Sequence, residues 1–256
     1  MKTPDDIMLI EVCPKPSARV NEKLQSFSGF IIKILILPVF VMSFSFSDSF
    51  SQINPGITLG YNHSIFGGPD AEAWGFLDAD PMYVSRLLLG MFVVKSIFAN
   101  LYFEPGLSFS SRGTRYENEW EWYNPVTTQF TLEKIILQKK LIYLSLPLTL
   151  RYYMLNNLSL AFGPEISLLL LANAIRTHGD ADAVKDNVIE EYHRLDLALR
   201  MAVCYHITSN LFFQLGYLYG LSDIVKYDQY NNYLVKNMMF QLSIAYVFKN
   251  SLFREN

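Results

Sequence analysis

Large apolar and small or polar side chains alternate along much of this chain. Over residues 142–152, Ile142, Leu144, Leu146, Leu148, Leu150 and Tyr152 take turns with Tyr143, Ser145, Pro147, Thr149 and Arg151. A period of two belongs to an extended strand, whose successive side chains point to opposite faces. Residues 195–205 set Leu195, Leu197, Leu199, Met201, Val203 and Tyr205 against Asp196, Ala198, Arg200, Ala202 and Cys204. Residues 239–248 set Phe240, Leu242, Ile244, Tyr246 and Phe248 against Met239, Gln241, Ser243, Ala245 and Val247. Leu101, Phe103, Leu107 and Phe109 oppose Tyr102, Glu104, Gly106, Ser108, Ser110 and Arg112, and Ile57, Leu59 and Tyr61 oppose Thr58, Gly60, Asn62 and Ser64. Weaker runs at 85–94, where Gly90 sets the phase, at 158–171 and at 210–220 bring the predicted strands to eight.

The predicted connections alternate in length. Short ones fall near 95–99, 153–157 and 207–209, and long ones cover about 65–83, 113–133, 172–192 and 221–235. Outer-membrane barrels pair short periplasmic turns with longer outside loops, and an N-terminus on the periplasmic side makes the first connection a long one. Side-chain size then orients the faces. The interior of an eight-stranded barrel is only wide enough to be filled by side chains. The face of Leu, Ile, Phe and Tyr therefore suits lipid, and the face of Gly, Ser, Ala and Thr with a few charges suits a narrow lumen. A soluble lipocalin-like barrel with the large face inward would overfill its interior. The expectation is an all-β fold, an eight-stranded antiparallel up-and-down transmembrane β-barrel of a Gram-negative cell outer membrane. After Gln52 no run approaches the roughly 18 apolar residues of a membrane helix, and a closed sheet satisfies the backbone in hydrocarbon without one.

Composition agrees with a lipid-facing chain. Of 256 residues 51% are hydrophobic and 15% aromatic, while 18% are charged, against about 25% in soluble domains. A net charge of −3 gives no basic field for nucleic acid. Residues 34–46 form a short apolar run behind Lys33 and ahead of Ser47, Ser49 and Ser51. That describes a secretory signal peptide with cleavage near Ser51–Gln52, a buried or anchoring helix being the alternative. The chain divides on this reading into an N-terminal extension and signal peptide (1–51), the barrel (52–249) and a C-terminal tail (250–256). Cys13 precedes the apolar run and so is no lipoprotein cysteine, and Cys204 is left without a disulfide partner in the mature chain.

The lumen face carries the chemistry. Glu104, Arg112, Arg151, Glu165, Asp196 and Arg200 fall on it, with Gln214 and Gln241. Such charges can form a plug of mutually paired ions or line a conducting pore; the small bore of eight strands favours the plug. A hydrolase needs Ser or Thr beside His with an acid behind it. His63 and Ser64 are adjacent and point to opposite faces, and His206 and Thr208 have suitable spacing but sit at the predicted periplasmic end. No catalytic residue, cofactor or metal site is assigned: there is no Cys/His cluster, and the 178–182 stretch is too short for a calcium loop. Trp74, Trp120 and Trp122 all fall in predicted long loops, as an interfacial aromatic belt or as a contact surface for a partner or glycan.

Several phrases carry a resemblance. Phe103-Glu104-Pro105-Gly106-Leu107-Ser108-Phe109-Ser110-Ser111-Arg112-Gly113 and Tyr143-Leu144-Ser145-Leu146-Pro147-Leu148-Thr149-Leu150-Arg151-Tyr152 resemble the PorT-like outer membrane β-barrel family (outer membrane protein beta-barrel domain). Phe162-Gly163-Pro164-Glu165, Leu195-Asp196-Leu197-Ala198-Leu199, Gly216-Tyr217-Leu218-Tyr219-Gly220-Leu221-Ser222-Asp223-Ile224 and the closing Tyr246-Val247-Phe248 are similar to it as well, so the likeness covers about residues 52–249. The resemblance implies an eight-stranded outer membrane barrel, and for the founding member a part in secretion and gliding machinery. It supplies no catalytic residues. The expected function is a structural or interaction barrel, an accessory of an envelope or secretion complex. Its partners are then outer membrane lipid and other envelope or secretion proteins. A small-solute pore is the alternative, and an outer-leaflet lipid-modifying enzyme ranks third.

Overall fold

The computed structural model describes residues 53–74, 79–124, 129–178, 182–226 and 233–248. The chain divides into two units, Met1–Ser51 and Gln52–Asn256. The predicted signal peptide, its cleavage point and the 250–256 tail lie outside the described residues.

Eight long strands form a ring. They are β1 (Ile53–Gly67), β2 (Val84–Phe98), β3 (Leu101–Asn124), β4 (Gln129–Leu155), β5 (Leu158–His178), β7 (Leu195–His206), β8 (Leu211–Gly220) and β9 (Lys236–Val247). Each is antiparallel to the next, and β1 pairs with β9 to close the barrel. A short strand, β6 (Val184–Asn187), pairs with the outer end of β5 and stays outside the ring. Turns of two to four residues join β2 to β3, β4 to β5 and β7 to β8. In the last of these the Thr208 hydroxyl accepts the N–H groups of Asn210 and Leu211, at 3.3 and 3.0 Å.

The alternating faces separate as their sizes require. Leu59, Leu89, Leu215 and Leu242 are each more than half exposed, while Asn62, Ser64, Ser110 and Ser145 are buried. An exposed surface of this kind, running round the barrel, has lipid as its solvent. In β2 the lumen takes Leu88, Phe92 and Val94 along with Gly90, and Leu87, Leu89 and Met91 face out. Aromatic residues gather at both ends of the apolar band. At the outer end His63 stacks on Tyr83 at 4.6 Å and Tyr217 lies 4.9 Å from Phe240; at the inner end stand Tyr152, Tyr205, Tyr246 and Phe248. On β9 the span from Phe240 to Tyr246 is about 20 Å at about 3.4 Å per residue, which with its two rims approaches the apolar band of about 25 Å such barrels carry.

Leu148 sits half-buried on the outward face of the bilayer-crossing part of β4, like Leu146 on its own strand and Leu199 on β7. Leu148→Arg is expected to cost about 2–4 kcal/mol, the price of a guanidinium near the bilayer midplane. Equilibrium refolding into lipid bilayers measures it, and a variant as stable as the parent would reverse the assignment of the faces.

The structure departs from the predicted 113–133 loop. Pairing of β3 with β4 runs on from Gly113↔Lys140 to Asn124↔Gln129, so this segment is a hairpin. At about 3.4 Å per residue it continues for about 40 Å past the level of Arg112. Outside hydrocarbon no lipid face has to be kept apolar, and the alternation that marks a membrane strand gives way to Glu117, Asn118 and Glu119. Beyond Tyr116, β3 has β4 as its one strand neighbour among the described residues.

Two glycines in these strands are required by close approach. Gly113 has φ +147°, and a Cβ on it would lie 2.0 Å from the Lys139 carbonyl oxygen. Its N–H donates to the Ser64 hydroxyl at 3.0 Å, and that hydroxyl donates back to the Gly113 carbonyl at 2.9 Å. At Gly163 a Cβ would meet the Leu148 carbonyl oxygen at 2.1 Å. Gly163 belongs to a patch with Pro105, Pro147 and Pro164, which lie on the neighbouring strands β3, β4 and β5. Proline has no N–H for the ladder, and the β3–β4 pairing is interrupted between Pro105↔Leu148 and Ser108↔Ser145 while the register is kept.

Candidate functional site

The lumen is filled in three layers. In the inner layer Arg151 of β4 grips Glu104 of β3 with two parallel bonds, Nε to Oε2 at 2.7 Å and Nη2 to Oε1 at 2.9 Å. A bidentate pair of this geometry is the strong form of an ion pair. The guanidinium also lies 4.3 Å from the centre of the Phe212 ring, a cation–π contact. Its Nη1 reaches Ser159 at 3.4 Å, and the Ser159 hydroxyl sits 3.0 Å from His206 Nε2. Sequence spacing set His206 beside Thr208; the structure turns His206 into the lumen beside Ser159, forty-seven residues away. Neither Ser159, 0% exposed, nor His206, 4% exposed, is open to a substrate.

The middle layer is built round Arg112. Its Nη2 reaches Glu165 at 2.5 Å, Ser145 at 2.9 Å and Ser167 at 3.1 Å; its Nη1 reaches Asp196 at 3.2 Å; its Nε donates to Ser110 at 2.9 Å. Glu165 is shared: its other oxygen accepts from Arg200 at 3.2 Å. Arg200 also donates to Gln241, Gln241 donates to Asn62 at 3.0 Å, and Asn62 donates to Ser110 at 3.3 Å. Ser110 returns the path to Arg112. Six side chains from β3, β5, β7, β9 and β1 thus form a closed hydrogen-bonded circle across the lumen. Asp196 is held in addition by Ser222 at 2.9 Å and by Asn237 at 2.8 Å, and Asn237 donates to the Tyr143 hydroxyl at 3.1 Å.

All six predicted lumen charges therefore point inward. Glu104 and Arg151 form one group, and Arg112, Glu165, Asp196 and Arg200 the other, three cations against three anions. Mutual compensation is what makes charges tolerable at such burial. Arg86, on the lumen face near the outer end of β2, is a charge that the two-sided apolar pattern of 85–94 conceals; its Nε and Nη2 have no hydrogen-bond partner among the described residues. Asn62 also escapes the sequence reading, because nothing local distinguishes it from a strand asparagine.

The outer layer is apolar and is made by the outer parts of the strands together with the long connections. Phe66, Tyr116, Leu141, Tyr192, Ile224 and Val235 belong to one buried cluster, with Trp74 and Tyr233 packed against it. Trp74 donates to the Tyr192 hydroxyl at 3.4 Å and meets its ring edge-on, and Lys139 Nζ lies 5.3 Å from the Trp74 ring while pairing with Glu191 at 3.4 Å. Burial pushes the Tyr192 phenol well above its ordinary pKa. The connections are tied to the wall and to one another: Tyr116 OH donates to Ala71 O, Leu234 N–H to Asp70, and His193 N–H to Ile224 O. Trp74 thus packs, half-buried, against the apolar cluster of the outer layer. Trp120 and Trp122 fall in β3, opposite Glu133 and Thr131, and their side chains lie outside the described residues. Among the described residues no three His, Cys, Asp or Glu side chains are grouped to hold a metal ion.

A model of the family described as outer membrane protein beta-barrel domain matches residues 45–226. No curated protein matches the chain. Among solved structures, Ail, the attachment invasion locus protein of Yersinia pestis, is similar at 15% identity and a TM-score of 0.41, over 77% of this chain and 99% of that one. Neisserial surface protein A is similar at 12% identity and a TM-score of 0.38, over 75% and 96%. The outer membrane protease OmpT of Escherichia coli is similar at 10% identity and a TM-score of 0.30, over 78% and 98%.

Proposed function

Because the chain belongs to the outer membrane protein beta-barrel domain family, we propose that it works in the outer membrane as a closed scaffold for other envelope proteins, not as a pore or an enzyme. The observation that carries this reading is the closed circle from Arg112 through Glu165, Arg200, Gln241 and Asn62 to Ser110. It spans the lumen in the middle, with the Tyr192 cluster above it and the Glu104–Arg151 pair below. An ion passing through would have to part several buried, mutually compensated charges. The burial of Ser159 and His206 speaks against hydrolysis. What faces outward beyond the bilayer is the β3–β4 hairpin, in which β3 past Tyr116 has β4 as its one strand neighbour among the described residues; such a sheet edge is a surface that a partner strand can pair with. The narrower kinship with PorT-like barrels, and a part in secretion, belong to the same proposal and are supported by the Glu104-Pro105-Gly106 and Leu146-Pro147-Leu148 phrases.

The test is conductance in planar bilayers. Purified protein is expected to give no channel activity, and to co-purify with envelope proteins that are lost when the hairpin beyond Tyr116 is shortened. Stable unit conductance of the wild-type protein would overturn the scaffold in favour of a small-solute pore.

A further inference from the structure

The lumen is not solid between its inner and middle layers. A cavity of about 30 Å³ lies there, lined by Ser108, Thr149, Gln214, Glu104 and Arg200 among others. Ser108, Thr149 and Gln214 are 6%, 5% and 5% exposed. None of these three side chains bonds to another protein group among the described residues. Two hydroxyls and an amide, all deeply buried, open onto one small space.

The charges say what that space holds. Both oxygens of Glu104 are taken by Arg151, and Arg200 is engaged by Glu165 and Gln241. The two charged residues that line the cavity are each paired, Glu104 with Arg151 and Arg200 with Glu165, so neither is left for an ion to compensate. What remains unsatisfied is neutral and able both to donate and to accept. Each water needs roughly 10–15 Å³ of such space and two to four polar partners, so the cavity has room for about two waters. Leaving the amide and the hydroxyls dry would strand several buried hydrogen-bonding groups.

We infer that this cavity is a permanent hydration site: about two water molecules bound by Gln214, Ser108 and Thr149 inside the barrel wall at bilayer depth. Gly106 and Pro147 line the same cavity, at the place where the β3–β4 ladder is interrupted. Water beside a proline gap can satisfy backbone groups that the ladder leaves over. The inference rests on the closed-lumen reading in one respect: a lumen blocked by side chains above and below makes these waters slow to exchange.

The full chain folded in lipid nanodiscs, with its glutamine side chains labelled with ¹⁵N, provides the test. Magnetisation transfer from water to the Gln214 amide is expected, with the sign of a water resident for longer than nanoseconds. It should be lost when Ser108→Val and Thr149→Val are combined. In a second measurement Gln214→Met is expected to leave the urea midpoint unchanged or lower, because the amide it removes is already satisfied by water. Absence of transfer in the wild type, or a raised midpoint in Gln214→Met, would mean a dry cavity and would overturn the hydration site while leaving the closed barrel intact. Transfer from a water exchanging in less than a nanosecond, together with wild-type conductance, would overturn the closed lumen itself.

Discussion

Glu165→Gln is expected to destabilise the barrel by about 3–5 kcal/mol, the usual cost of leaving buried charge uncompensated. Glu165 faces two guanidiniums, Arg112 at 2.5 Å and Arg200 at 3.2 Å, with side chains 0% and 10% exposed. Glutamine keeps the size and one acceptor oxygen but removes the charge. Asp196, at 3.2 Å from Arg112, then faces the middle-layer cations alone. Urea unfolding in lipid vesicles, followed by tryptophan fluorescence, measures the loss. Adding Arg200→Gln should recover part of it, because the surplus of positive charge is gone. A Glu165→Gln barrel within about 1 kcal/mol of the parent, the worth of an exposed pair, would show that the middle layer is wet enough to screen these charges.

A double-mutant cycle on Glu104 and Arg151 is the second large effect. Each single change, Glu104→Gln or Arg151→Met, strands its partner and should cost about 3–5 kcal/mol. Arg151→Met further loses the contact with Phe212 at 4.3 Å. The double variant should cost less than the sum, since residues in direct contact couple by about 0.5–3 kcal/mol. The same urea unfolding reads it. Strict additivity would mean that the two bonds, at 2.7 and 2.9 Å, do not hold these residues to each other.

The ring of strands was legible because lipid imposes a rule on every second residue. Where a strand crosses hydrocarbon, as at 142–152 or 195–205, alternation in size shows both the strand and its phase. Where β3 and β4 leave the bilayer that rule lapses, and Glu117, Asn118 and Glu119 look like a loop although they continue a hairpin. The outer layer is harder to read for another reason. Tyr192, Ile224 and Val235 come from three stretches of mixed polarity, and an isolated apolar residue in a loop does not announce that it turns inward. The lumen charges were readable one by one from their parity. Their partners were not, since parity gives the face and says nothing of height or reach. The same parity places Ser159 and His206 on the lumen side without showing that they meet.

The circle through Arg112 also bears on the order in which the barrel can be completed. Asn62 stands in the first strand and Gln241 in the last, 179 residues apart, and both are members. A bond across so long a stretch of chain bears the full entropy of closing that loop. It becomes available only when β1 and β9 come together. Until then Arg200 lacks its amide partner, and the polar groups of the lumen stay hydrated in an open sheet. The final seam is thus fastened twice, by backbone pairing in the wall and by side chains from within. A chain missing its last strand would lose the fastening along with the strand, and the remaining seven could not re-form the circle among themselves.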